Sequence, residues 1–186
     1  MQIGPIGGIH QYPIFSELEA IARESICATS PYYRLLCAHR LYDGTGKLRT
    51  WLRKLSERHG VDAPLPKDVS IDSELLLALG FNAHFCDGLR TAGDLYGKLT
   101  DTRNRVAHFL LTKGGDQAPL HLSDGATYLE YSAAAVALLH YGIETLNGLS
   151  TYFHAHLGSK LARGSVLPMI DQKSKYRIFV KSGLAR

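Results

Sequence analysis

Residues 130–157, EYSAAAVALLHYGIETLNGLSTYFHAHL, decide the fold class. Ala133, Val136, Leu139, Ile143, Leu146 and Phe153 recur there at steps of three and four. That is the period of a helix with an apolar side. The spacing predicts one long helix from Glu130 to about Leu157.

The segments before it carry the same period, broken by turn chemistry. Leu120–Tyr128 alternates around Asp124-Gly125, which predicts a short hairpin or extended connection ahead of the last helix. A helix is expected over Lys98–Leu111, ending before Lys113-Gly114-Gly115. Phe81–Tyr96 also reads as helical, with Gly88 and Gly93 as weak points, and a short helix over Ser73–Leu79 stops at Gly80. His59–Pro66 is a loop by composition. Upstream, Thr29-Ser30-Pro31 starts a helix that spans Tyr32 to about Arg58, with Leu36, Ala38, Leu41, Leu48, Trp51, Leu52 and Leu55 at helical spacing. Gly44-Thr45-Gly46 predicts a bend or break in its middle. Ser16 and Glu19 form a capping box for a first helix reaching Cys27 and burying Leu18, Ile21, Ala22 and Ile26. Long helices joined by loops make an all-α bundle of long antiparallel helices.

With 186 residues, 45% of them apolar and 20% charged, the composition is that of one soluble globular domain with a real core. No apolar stretch is long enough to span a bilayer, so no membrane partner is expected. The opening Met1–Gly8 has neither a basic leader nor an apolar signal core, which predicts a cytoplasmic chain. Cys27, Cys37 and Cys86 form no CxxC pair and read as buried thiols. Leu157–Arg186 carries seven basic residues against Asp171 alone. The division is therefore a helical domain over 1–157 and a basic C-terminal arm over 158–186. Tyr176–Val180 in the arm reads as a lone strand or an ordered segment on a partner. Lys173, Lys175, Arg177 and Lys181 are its candidate RNA contacts, by counterion release; an anionic lipid surface, an acidic partner or a plain solvated tail fits the same charge.

Chemistry concentrates in Asp101-Thr102-Arg103-Asn104-Arg105-Val106-Ala107-His108. Arg followed by His after four to six residues occurs three times: Arg34/His39, Arg53/His59 and Arg103/His108. The first two read as packing and surface residues. In the third, Asn104 and His108 lie four apart on one helix face, where the amide can orient the imidazole. Arg103 lies roughly 140° round the helix from His108, so it meets the same substrate by reaching around the helix, by distortion or from a second copy. Arg105 offers another cation on the His108 side. Residues alone leave open a plainer arrangement, with Arg103 paired to Asp101 or Asp94 and His108 at a helix end where its charge suits the dipole. His154 and His156, two apart, face opposite ways, which argues against a shared metal. No metal-binding, Walker, Rossmann or nucleophile-elbow motif appears, so no cofactor is expected.

Arg103-Asn104-x-x-x-His108 resembles the signature of the HEPN superfamily, helical domains named for higher eukaryotes and prokaryotes. Tyr33–Asp43 and Leu122–Tyr128 look like a bacterial branch that includes methylamine-utilisation accessory proteins. The resemblance spans about residues 30–157, and only the Arg-Asn-x-x-x-His core of it is specific. It implies a homodimer in which two copies of the Lys98–Leu111 helix build one cleft, and metal-independent cleavage of RNA. His108 would be the general acid or base, Arg103 would steady the charge on the phosphorane, Asn104 would support them, and Asp43 would tune His108. The enzyme would be toxin-like or defence-linked, held in check by a protein partner. The alternative is a non-catalytic HEPN-like module binding RNA, nucleotide or protein.

Overall fold

The computed structural model describes residues 12–108 and 124–162, except the side chains of Ala107, His108 and Ala162. Its elements are α1 (Pro13–Cys27), α2 (Pro31–Arg58), α3 (Ser73–Ala78), α4 (Ala83–Cys86), α5 (Ala92–His108) and α6 (Gly125–Phe153). A π-helical turn, His154–Gly158, joins α6 to α7 (Ser159–Ala162). Among the described residues there is no strand, only an isolated bridge between Ser70 and Thr91. The all-α bundle expected from the spacing is what forms.

Helix starts follow local chemistry. Pro31 sits in the first turn of α2, and the Ser30 hydroxyl accepts from the Tyr33 amide at 3.4 Å. Asp124 caps α6 by accepting from the Thr127 amide at 2.9 Å. Asp124–Tyr128 is therefore a cap and first turn, not a hairpin, because the Asp side chain satisfies a helix amide; Leu120–Ser123 lies outside the described residues. In α1 the capping box does not form: Pro13 opens the helix, and the Ser16 hydroxyl donates back to the Pro13 carbonyl. α5 uses a box of its own, with Asp94 accepting from the Thr91 amide and hydroxyl at 2.8 and 3.0 Å. The Arg90 amide, with the Thr91 amide and hydroxyl, holds the Asp94 carboxyl below its usual range.

α2 runs unbroken through Gly44-Thr45-Gly46. A Cβ on Gly44 would collide with the Leu18 side chain, so this glycine lets α1 approach and does not bend the helix. Gly142 serves α6 in the same way: an added Cβ there would come within 3.1 Å of Leu41. Phe81–Tyr96 is not one helix. α4 is only four residues long, Gly88 takes a positive φ of 77°, and Ile71 and Ala92 exchange backbone bonds with Arg90 and Val69. That extended pairing replaces helix between Asp87 and Thr91.

Consecutive long helices alternate in direction. Leu18 meets Gly44 and Phe15 meets Trp51, so α1 is antiparallel to α2. The two longest helices, α2 and α6, run parallel: Tyr32 meets Tyr131, Leu41 meets Gly142, and Ser56 bonds Tyr152. Leu35, Leu41, Leu48 and Leu52 of α2 and Tyr131, Leu138 and Leu149 of α6 are fully buried. Burial surrounds α6 on most sides, which is why a single apolar stripe understates it; Val136, on that stripe, is exposed. Ile26 and Cys27, at the end of α1, are also exposed, while Cys37 and Cys86 are buried. The helical path continues past residue 157, and Leu161 packs into the core. The loop between α2 and α3 is pinned by side chains: Tyr152 donates to the Ala63 carbonyl at 2.9 Å, Tyr42 to Asp68 at 3.0 Å, and Tyr141 accepts from the Asp72 amide at 2.9 Å. Of the basic arm, 158–186, residues 163–186 lie outside the described residues, and with them Lys173, Lys175, Arg177, Lys181 and Tyr176–Val180. No helix among the described residues is long and apolar enough to cross a membrane.

Candidate functional site

α5 is helical from Ala92 to His108, so the whole Arg-Asn-x-x-x-His motif lies on one helix. The helix packs antiparallel to α2, with the Tyr96 ring stacked on Tyr42 at 4.9 Å and lying 4.2 Å from the His39 ring. Arg103 follows Tyr96 by seven residues, two turns along the same face. These contacts bring the motif to the first half of α2.

Arg103 and Asn104 are brought together directly. The Arg103 Nη1 donates to Asn104 Oδ1 at 2.8 Å. The Asn104 side-chain carbonyl oxygen thus holds Arg103, while the His108 side chain, which Asn104 was expected to orient, lies outside the described residues. The Arg103 Nε is buried without a hydrogen-bond partner among the described residues. No described carboxylate lies in ion-pair range of Arg103. Asp94 is engaged at the α5 cap, and Asp101, two residues away, makes no pair with it. A half-buried cation without an anion is unfavourable unless something supplies the anion.

His39, which the sequence marks only as a packing residue, lies within the field of this cation. It is 5% exposed, and its Nε2 has no partner among the described residues. Burial first, then the Arg103 charge, lower the imidazole to about 4, with Asp43 acting the other way. His39 is therefore neutral at pH 7 and adds no positive charge beside the guanidinium. Tyr96 is raised by burial and by Asp43, with Arg103 opposing. Asp43 itself pairs with Lys47 at 3.3 Å on the outside of α2. Its field thus reaches His39 and Tyr96, the far side of the cluster from solvent.

Arg105 is exposed, and its charge lowers the Tyr131 phenol against the larger effect of burial, which raises it. The Tyr131 hydroxyl is a further buried polar atom without a partner among the described residues. Tyr131 stands against Tyr32, so it belongs to the same end of the bundle as His39 and Arg103. Among the described residues, His39 Nε2, Arg103 Nε and the Tyr131 hydroxyl lack partners at this end, and so does Arg34 Nε. Sequence held one signal for His39: it sits four residues before Asp43 on the helix, inside an apolar run.

The other Arg–His pairs separate. Arg34 donates to the Ala28 carbonyl between α1 and α2. Arg53 is exposed on α2, and His59 is the residue that ends that helix. His154 and His156 are both exposed on the π turn. No protein-family model matches the chain, and neither a curated protein nor a solved structure matches it.

Proposed function

We propose that this chain is a HEPN-type endoribonuclease that cleaves RNA without a metal. The observation that carries the reading is Arg103: half-buried, held by Asn104, free of any described acid, and next to an imidazole that burial keeps neutral. Such a cation is prepared for a phosphate, and a planar guanidinium suits two phosphate oxygens at once. His108 lies on the same helix.

In this reading the ribose 2′-hydroxyl attacks phosphorus and loses its proton to one histidine. The bond from phosphorus to the 5′-oxygen breaks, and that oxygen takes a proton from a second histidine. The products are a 2′,3′-cyclic phosphate and a free 5′-hydroxyl. His39, lowered to about 4, is unprotonated at neutral pH and a poor proton donor. Two copies of His108 in a homodimer fill both roles, with Arg103 steadying the charge of the transition state. A 2′-hydroxyl nucleophile restricts the substrate to RNA. The basic arm adds salt-dependent RNA affinity, and an inhibitory protein partner would restrain a toxin-like enzyme of this kind.

The test is cleavage of a mixed-sequence RNA in EDTA by wild type and by His108→Ala. A loss of about 10²–10⁴-fold is expected for the variant. If wild type cuts no RNA, the alternative stands: a binding module of the same scaffold. The observation favouring that alternative is the deep burial of His39, which suits a static electrostatic role.

A further inference from the structure

About fourteen residues beyond His39 along α2, roughly 21 Å at the rise of an α-helix, a second feature lies outside the motif. A groove of about 420 Å³ opens between the last turns of α2 and the loop after it. Arg49, Arg53 and Lys67 line it, against one acid, Glu57. Its wall is apolar, with Val61 and Leu65, and its floor is the Ser56–Tyr152 hydroxyl pair, bonded at 2.8 Å.

The cations are arranged and not merely numerous. Arg49 donates to the Pro66 carbonyl, which fixes a guanidinium that still has other N–H groups to offer. Arg53 follows Arg49 by four residues, so both lie on one face of α2. Arg53 and Glu57 are also four apart, a spacing at which Arg23/Glu19 and Lys47/Asp43 do form ion pairs. Arg53 and Glu57 form none among the described residues. The Arg53 head is therefore not neutralised by its helix neighbour. Ser56 and Tyr152 are satisfied by each other and by the Ala63 carbonyl, so the unmet bonding capacity of the groove lies in its charged groups, three cations to the one carboxylate of Glu57.

We propose that this groove binds a small phosphorylated organic molecule. Its phosphate dianion sits among Arg49, Arg53 and Lys67, and its carbon skeleton lies on Val61 and Leu65. Three cations against one carboxylate suit a dianion with several oxygens better than a single carboxylate. The volume falls within the range of small-molecule sites, about 300–1,000 Å³, and far exceeds what an inorganic ion fills. The apolar wall gives the remainder of such a ligand its place. The proposal does not depend on RNA cleavage.

Phenyl phosphate and inorganic phosphate are the probes, titrated calorimetrically into the full chain at constant ionic strength. Saturable one-to-one binding is expected, with phenyl phosphate at least several-fold the tighter. Arg53→Ala should weaken it about tenfold or more, the loss of one charge-assisted hydrogen bond. Arg53 is exposed, so the fold should survive, and Arg53→Gln, which keeps the stem without the charge, should weaken binding similarly. Leu65→Ala should erase most of the advantage of phenyl phosphate over inorganic phosphate. Arg103→Ala should leave both affinities unchanged. Absent saturation, unchanged binding in both Arg53 variants, or loss in Arg103→Ala equal to that in Arg53→Ala would each overturn the proposal. So would a groove that takes up RNA, competing through Arg53, but not phenyl phosphate.

Discussion

The two ends of α2 hold their arginines in opposite ways. Near its start the helix presents His39 to a guanidinium brought in by α5, half-buried, with a hydrogen bond to Asn104 and an Nε without a partner among the described residues. Near its finish it presents Arg49 and Arg53 to an open groove, where water can reach the charges. At the first end, charge costs stability and is retained beside an imidazole kept neutral by burial. At the second, charge costs little and merely waits for a partner. The contrast teaches that a cation's surroundings, more than the count of basic residues, separate a site suited to chemistry from one suited to capture.

The largest effect tests whether these ends belong to one cooperative unit. Leu41 is fully buried between them and packs on Gly142. Leu41→Ala should destabilise the fold by about 2–5 kcal/mol. Fluorescence of Trp51, the one tryptophan, should report the same denaturation midpoint as helix circular dichroism. Separate midpoints would mean the ends unfold independently.

Next is the pH dependence of stability. The folded His39 value of about 4 lies below the ordinary 6.5, so the unfolded chain binds the proton first. Stability from this group is full above pH 6.5, falls as pH drops toward 4, and then levels off. The loss is at most about 3 kcal/mol. Denaturant titrations from pH 7 to 4 should show it, and His39→Gln should flatten that part of the profile. Arg53→Gln should leave the profile as it is. An unchanged slope in His39→Gln would remove the imidazole from the electrostatic argument.

A smaller effect has the opposite sign. Arg103→Met removes an uncompensated cation from a half-buried position and should raise stability by about 1 kcal/mol at pH 7. The His39 proton affinity, followed by NMR, should rise at the same time. The matching change in the groove, Arg53→Met, should stay within about 0.5 kcal/mol of wild type. If Arg103→Met destabilises the fold, Arg103 is a structural residue with a partner that offsets its burial.

Much of the architecture was legible in the chain. The three-and-four spacing of 130–157 gave the central helix, and Ser30-Pro31 gave the start of α2, because caps and periodicity are local signals. What misled was glycine. Gly44 read as a break, yet its purpose is the approach of Leu18, a contact between distant residues that no window along the chain reveals. The parallel course of α2 and α6 was hidden for the same reason: direction is set by the number of long helices between them. At the candidate site the motif was legible as Arg103 and Asn104, whereas His39 was not. Its burial and its nearness to Arg103 arise only when α5 packs across α2. Asp43 was singled out for tuning His108, whose side chain lies outside the described residues; among the described groups its field falls on His39 and Tyr96.

The central claim is that the sequestered Arg103, not the exposed Arg53, meets the phosphate undergoing reaction. It is tested most directly by incubating one end-labelled RNA in EDTA with wild type, Arg103→Ala and Arg53→Ala, and resolving the product ends. The expected result is 2′,3′-cyclic phosphate product from wild type and Arg53→Ala at comparable rates, and about 10²–10³-fold less from Arg103→Ala. Equal cleavage by Arg103→Ala and wild type, or intact RNA with wild type, would contradict it.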